Sequence, residues 1–248
     1  MAKLLLGKEV NAKLNARIIE QCEALKAQGV NPTLAIVRCG ERPDDLSYER
    51  GATKRAETLG VTVEKFLLPE DVSKEELLKT IDEINANDKI HGVLMFRPLP
   101  KHLKADQDEI CNRLDPAKDV DGMTDGSNAG VFMGKPAAMM LMGKNATVTV
   151  CHTRTKDVPA EAREADVLIS AAGVLKSLTK DYVRPGQIVI DVSINWDAEK
   201  NGIAGDAVFE EVEPIVDAIT PVPGGVGAVT TSVLIGHVVE AAARQTAK

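Results

Sequence analysis

Aromatic residues are scarce: one Trp, two Tyr and four Phe in 248 residues. Stacking platforms for nucleic-acid bases need several exposed rings, so that class of binder is disfavoured. Positive charge is also in deficit. The net charge is −7, which argues against nucleic-acid and anionic-membrane partners. Cysteine is limited to Cys22, Cys39, Cys111 and Cys151, with no C-x-x-C pair. Neither a zinc site nor a disulfide framework is signalled, no metal is expected, and the thiols read as reduced and mostly buried. No run approaches the roughly 20 apolar residues of a membrane span. The three leucines of MAKLLLGKEV are too few for a signal-peptide core, so a soluble, cytoplasmic protein is expected.

What is present is a 44% hydrophobic chain, enough for one large domain or two modest ones. Strand-like and helical runs alternate. Residues 14–29 have helical spacing and stop at Gly29; TLAIV (33–37) is β-rich; Asp45–Leu59 reads as a helix closed by Gly60; VTVEKFLL (61–68) reads as a strand. Ser73 and Glu76 form a capping box for the next helix, and GVLMF (92–96) is the following strand. This order predicts a parallel α/β sheet. In the second half, ATVTVCH (146–152), DVLISAAG (166–173) and QIVIDVSI (187–194) are near-continuous apolar runs, as expected of strands buried on both faces. The tail from Thr230 is an amphipathic helix. A boundary is expected near 120–135, where DVDGMTDGSNAG is rich in Gly, Asp and Asn.

Four stretches carry candidate chemistry. Pro98 and Pro100 stiffen a loop at a strand end, the edge where ligands bind in open α/β folds; a plain rigid turn is an equal alternative. Asp119 and Asp121 in KDVDGM lie on one side of an extended segment. Such a carboxylate can accept two N–H donors of an aminopyrimidine-like ring, although solvated loop acids are the plainer reading. TPVPGGVGAVTT (220–231) sets Gly224, Gly225 and Gly227 before a helix, where Thr230 or Thr231 could cap or contact a ligand. VTVCHTRT (148–155) offers His152, Thr153 and Arg154 and no acid where a dinucleotide fold chooses its cofactor. Arg154 could fork onto a phosphate, or be a surface charge.

Together these motifs resemble the methylenetetrahydrofolate dehydrogenase/cyclohydrolase family. The carriers are Gly40, Pro43 and Tyr48 in their spacing, PLPKH (98–102), DPAKDVDG (115–122), TVTVCHTRT (147–155), VIDVSIN (189–195) and ITPVPGGVG (219–227). The resemblance implies a folate-binding α/β domain over 1–125, completed by the helix at 229–248, and a Rossmann-type domain over 131–222. It implies a homodimer and a reduced-folate substrate. It assigns Tyr48 and Asp121 to catalysis, and Tyr48, Pro98, Leu99, Asp121, Pro223, Gly224 and Gly225 to the substrate. His152, Thr153, Arg154, Ala172, Gly173, Ser193, Ile194 and Thr230 go to the cofactor, NADP in preference to NAD.

Three departures qualify these expectations. Bifunctional members carry a lysine four residues after the tyrosine; here Ala52 stands there, and Lys54, six residues on, points elsewhere on a helix. Their Q-L-P-L-P run is Phe96-Arg97-Pro98-Leu99-Pro100 here. Losing lysine and glutamine together predicts a dehydrogenase with cyclohydrolase activity lost or weak. The alternatives are a bifunctional enzyme recruiting Lys54 or Arg50, and a non-catalytic folate- or nucleotide-binding protein. Lastly, VFMG (131–134) joins directly to KPAAMML (135–141), so the first βα phosphate-binding unit has no counterpart. A sheet without that strand should expose its neighbours.

Overall fold

The computed structural model describes residues 1–124 and 134–246. The chain forms two compact units. One comprises Ala12–Gly130 with Thr231–Lys248, the other Met1–Asn11 with Val131–Thr230. The expected boundary at 120–135 lies largely outside the described residues. Residues 1–11 fall with the second unit, contrary to their expected place in the first, because β1 (Lys3–Leu4) pairs in parallel with β9 (Ala218–Ile219).

In the first unit, β3 (Thr62–Leu68), β2 (Thr33–Cys39) and β4 (Gly92–Met95) form a parallel sheet in that order. Every residue of β2 is buried. Strand alternation divides its side chains between two cores. Leu34 and Ile36 join Ile18, Cys22 and Leu25 of α1 (Gly7–Ala27), Ala52, Ala56 and Leu59, and Leu234, Ile235, Val238 and Val239 of the last helix. Ala35, Val37 and Cys39 join Leu77, Ile81 and Ile84 of α3 (Lys74–Ala86), with Ile110 and Cys111 of α4 (Gln107–Asn112). Helix α2 (Pro43–Thr58) starts with Pro at its first position, where the missing N–H costs nothing. Ser73 caps α3 by accepting from the Glu76 N–H at 3.1 Å.

In the second unit, β1, β9, β6 (Ile188–Asp191) and β5 (Val167–Ser170) make a four-stranded parallel sheet in that order. β7 (Asn195–Asp197) and β8 (Gly202–Ala204) form a small antiparallel ribbon. One face is covered by Leu178, Val183, Val212 and Val216, which pack with Val189 and Ile219. The other face is bare: Val167, Ile169 and Ile188 are 48%, 37% and 37% exposed, and the β5–β6 register puts Val167 opposite Ile188. The expectation of strands buried on both faces fails here.

The expected strand at 146–152 also fails. This segment has no ladder, and Val150 is 58% exposed. A strand exists only with a partner for its N–H and C=O groups, and the first strand of the family pattern is not in the chain. Helix α5 (Gly134–Met142) begins at the junction, with Met139, Met140 and Met142 exposed. Helices α6 (Val158–Glu164) and α7 (Phe209–Val212) are short, and α8 (Gly227–Thr246) ends the fold. Among the described residues, no helix is long and apolar enough to cross a membrane.

Candidate active site

The first unit gathers Tyr48, Phe96, Arg97 and Asp121. Tyr48 lies on α2, and its ring meets Phe96 edge to face, with centroids 5.9 Å apart and planes at 82°. Phe96 follows β4 and packs against the core that contains Ala52. Ala52 is 0% exposed, whereas Arg50 and Lys54 face solvent. An apolar pair therefore fills the space where a lysine–glutamine pair was expected in bifunctional members.

Asp121 owes its place to Lys118. The buried Lys118 Nζ donates to the carbonyls of Ile84, Asn85 and Asn87 at 2.8, 2.9 and 2.8 Å, closing the C-terminal end of α3. The Lys118 carbonyl accepts from the Val93 N–H at 2.8 Å. These bonds fasten the segment to β4, Val120 enters the core, and Asp121 emerges beside the Arg97 guanidinium at 3.6 Å. Burial, with the Asp119 charge, pushes the Asp121 carboxyl above its ordinary range, although Arg97 and His237 pull the other way.

The Leu99 side chain is buried in the second core, and its N–H donates to Gln107 Oε1 at 3.0 Å. Pro98 is exposed.

Gly224 has φ +104°, and a Cβ on Gly225 would lie 2.5 Å from the Pro221 carbonyl. The Gly225 N–H donates to that same oxygen at 2.8 Å. The backbone itself therefore requires glycine at these two positions, whatever else they contact. Thr230 is inside the first turn of α8 rather than at its cap, and its hydroxyl donates to the Gly227 carbonyl at 3.0 Å.

On the nucleotide side, His152, Thr153 and Arg154 lie on an exposed turn rather than at a strand end. The turn is held locally by His152 N–H to Thr155 Oγ1 at 2.9 Å and Arg154 N–H to His152 Nδ1 at 3.0 Å. Ala172 and Gly173 follow β5, and Ser193 and Ile194 follow β6, at the carboxyl edge of the sheet where open α/β folds bind ligands.

Sequence reasoning missed what organises that edge: Asp206, 0% exposed. One oxygen accepts from the Ser170 hydroxyl (2.7 Å), the Ser193 hydroxyl (2.7 Å) and the Ala172 N–H (2.9 Å). The other accepts from the Val174 N–H (2.9 Å) and Asn195 Nδ2 (3.1 Å). Burial works against its charge, but the bonds from Ser193, Ser170, Ala172 and Asn195 outweigh it and hold the carboxyl below its ordinary range. Gly205, whose added Cβ would collide with Asp191, was the sequence signal available.

A parallel α/β unit presenting an aspartate beside an arginine, and a second with loops ordered at its carboxyl edge, are compatible with a two-domain dinucleotide-dependent enzyme. Residues 5–121 match the catalytic domain of tetrahydrofolate dehydrogenase/cyclohydrolase, and residues 127–246 match its NAD(P)-binding domain. The chain belongs to the tetrahydrofolate dehydrogenase/cyclohydrolase family. It is 44% identical to the bifunctional protein FolD of Carboxydothermus hydrogenoformans, over 97% of each chain. That alignment runs over 281 residues, more than the 248 of this chain, so the relative carries sequence that this chain lacks.

Among solved structures, the bifunctional FolD enzyme of Campylobacter jejuni matches with a TM-score of 0.89 and 33% identity, covering 98% of this chain and 99% of that one. The Trypanosoma brucei enzyme, solved with NADP cofactor and an inhibitor, matches at TM-score 0.88 and 25% identity, covering 100% and 99%.

Proposed function

We propose that this protein oxidises 5,10-methylenetetrahydrofolate to the methenyl form, using NADP, in the cytoplasm and as a homodimer. The observation that carries the reading is the Asp121 carboxylate, fixed from behind by Lys118 at the edge of the first unit. It would accept N–H donors of the reduced pterin, with Arg97 holding its charge. Tyr48 would close over the ring, supported edge-on by Phe96. Pro98, exposed in the same unit, would line the substrate.

The loops at Ala172–Gly173 and Ser193–Ile194 fit the nicotinamide end of the cofactor, because a buried carboxylate anchors them while they remain open outward. Arg154 and the nearby His152 and Thr153 would meet the extra phosphate. NADP, when bound, supplies the hydride acceptor; the protein contributes orientation and charge.

The relatives are named bifunctional, and this whole-chain likeness favours hydrolysis of the methenyl product as well. It favours that pair of activities over the expected loss of cyclohydrolase. One observation supports dehydrogenation alone: Ala52 is sealed in a core against which Phe96 packs, so no amine stands one turn beyond Tyr48.

Initial rates with NADP and with NAD, recording reduced cofactor and methenyl product separately, test both readings. Reduced cofactor with methenyl accumulating indicates the dehydrogenase alone; methenyl that disappears enzymatically indicates the bifunctional enzyme. No reduction of either cofactor defeats the proposal. If hydrolysis is weak, Ala52→Lys with Phe96→Gln should raise it, whereas Ala52→Lys alone should destabilise the fold by pressing a cation into a filled core.

A further inference from the structure

The geometry points to Asp206 as the positioning residue of the nicotinamide-side loops, acting through Ser193; this rests on the cofactor reading above. The Ala171–Val174 loop and Ile194 are exposed, yet the carboxylate that joins them is wholly buried. Five donors converge on it from two stretches of chain: Ser170, Ala172 and Val174 on one, Ser193 and Asn195 on the other. Each carboxylate oxygen faces a backbone N–H, Ala172 on one and Val174 on the other, so the ionised acid, which carries no donor of its own, suits this set. An amide or a protonated acid would set N–H or O–H against N–H and O–H.

The backbone next to Asp206 and at Ser193 is held as well. Asp191, 2% exposed, accepts from the Ala207 N–H at 2.8 Å and the Ser193 N–H at 3.2 Å, and its own N–H donates to Thr220 Oγ1 at 2.7 Å. Ser193 is the link between the loops. Its hydroxyl donates to Asp206 and accepts from the Gly173 N–H at 3.1 Å. A glycine at this position could form neither bond. Gly173, at φ +67°, bends the chain outward above that bond. Ile194 reaches over the start of α8, its Cδ1 3.4 Å from where a Gly227 Cβ would be. The consequence is an outward-facing backbone and apolar surface held in one conformation before any ligand arrives, which spares binding the cost of ordering it.

The test uses the full chain. Asp206→Asn should accelerate amide hydrogen exchange at 171–174 and 193–195 in the free protein, leaving β2 unchanged. NADP binding is measured by isothermal titration calorimetry. NADP titrations should show affinity about tenfold weaker in Asp206→Asn, the size of one or two lost charge-assisted bonds. KM for NADP should rise while KM for the folate stays constant. Ser193→Gly should give roughly threefold weaker NADP binding with faster exchange at Gly173 alone.

If Asp206→Asn does not fold, Ser193→Gly and Ser170→Ala decide: unchanged loop exchange in both overturns the assignment. Unchanged exchange and affinity in a folded Asp206→Asn overturns it directly. Should the wild type bind no NADP, the cofactor reading fails, while the exchange comparison still judges Asp206.

Discussion

The two sheets of this protein are built from similar strands and end differently. In the first unit, β2 is buried along its whole length, with a core on each face. In the second unit, the β5–β6 pair has a core on one face and leaves Val167, Ile169 and Ile188 exposed on the other. Composition does not separate them, since VLIS and IVID are as apolar as TLAIV. The difference is the number of covering layers. α/β sheets need helices on both faces, and the βα unit that the family pattern places before residue 135 is not there to supply one. The catalytic half is complete in itself; the nucleotide half carries the deficit.

The largest test of this contrast is Ile36→Ala in the doubly covered sheet. It should cost about 2–5 kcal/mol in urea unfolding, because a fully buried side chain leaves a cavity. A cost near that of an exposed site would break the comparison.

Next comes Glu49→Gln. Glu49 bridges the buried Arg38 at 2.7 Å and Lys65 at 2.8 Å, and losing its charge strands the guanidinium, for about 3 kcal/mol. The same pair sets a pH dependence. Burial opposes ionisation of Glu49, but Lys65 and Arg38 outweigh it, so its carboxyl lies below the ordinary 4.5. A depressed folded pKa means that its stabilisation is complete above about pH 4.5 and fades as pH falls through the lower folded value. Acid titration of the wild type against Glu49→Gln checks this: the gap between them should close only in that acid window.

Hydrogen exchange should rank β2 amides slowest and the outer-edge amides of β5 among the fastest strand amides. The smallest effect is expected from Val167→Thr on the bare face. Stability should change by no more than about 0.5 kcal/mol, while binding of an apolar dye falls. A large loss of stability would show that this face is covered in solution.

Much of the first unit was legible in sequence, because its signals are local. The Ser73 cap bonds Glu76 as the capping pattern predicted, and Pro43 starts α2. The strand expected at 146–152 was illegible as a failure, since its apolar alternation is sound and only the absence of a neighbour undoes it. That Leu99 fills a core and that the backbone requires glycine at 224 and 225 was not legible, because sequence does not show what distant residues press against them. Asp206 was missed for the opposite reason: its five donors come from residues 11 to 36 positions away.

From sequence alone came the family, the alternation of strand and helix, the aspartate motif, and the exchange of a lysine and a glutamine for Ala52 and Phe96. These are matters of residue identity and short-range spacing, which a linear string records in full. Tertiary structure alone decided which apolar strands found partners, which face stayed bare, and which carboxylate ties the loops together. Burial and hydrogen bonding depend on groups brought from distant positions, and a strand or a buried charge is stable only when those groups arrive.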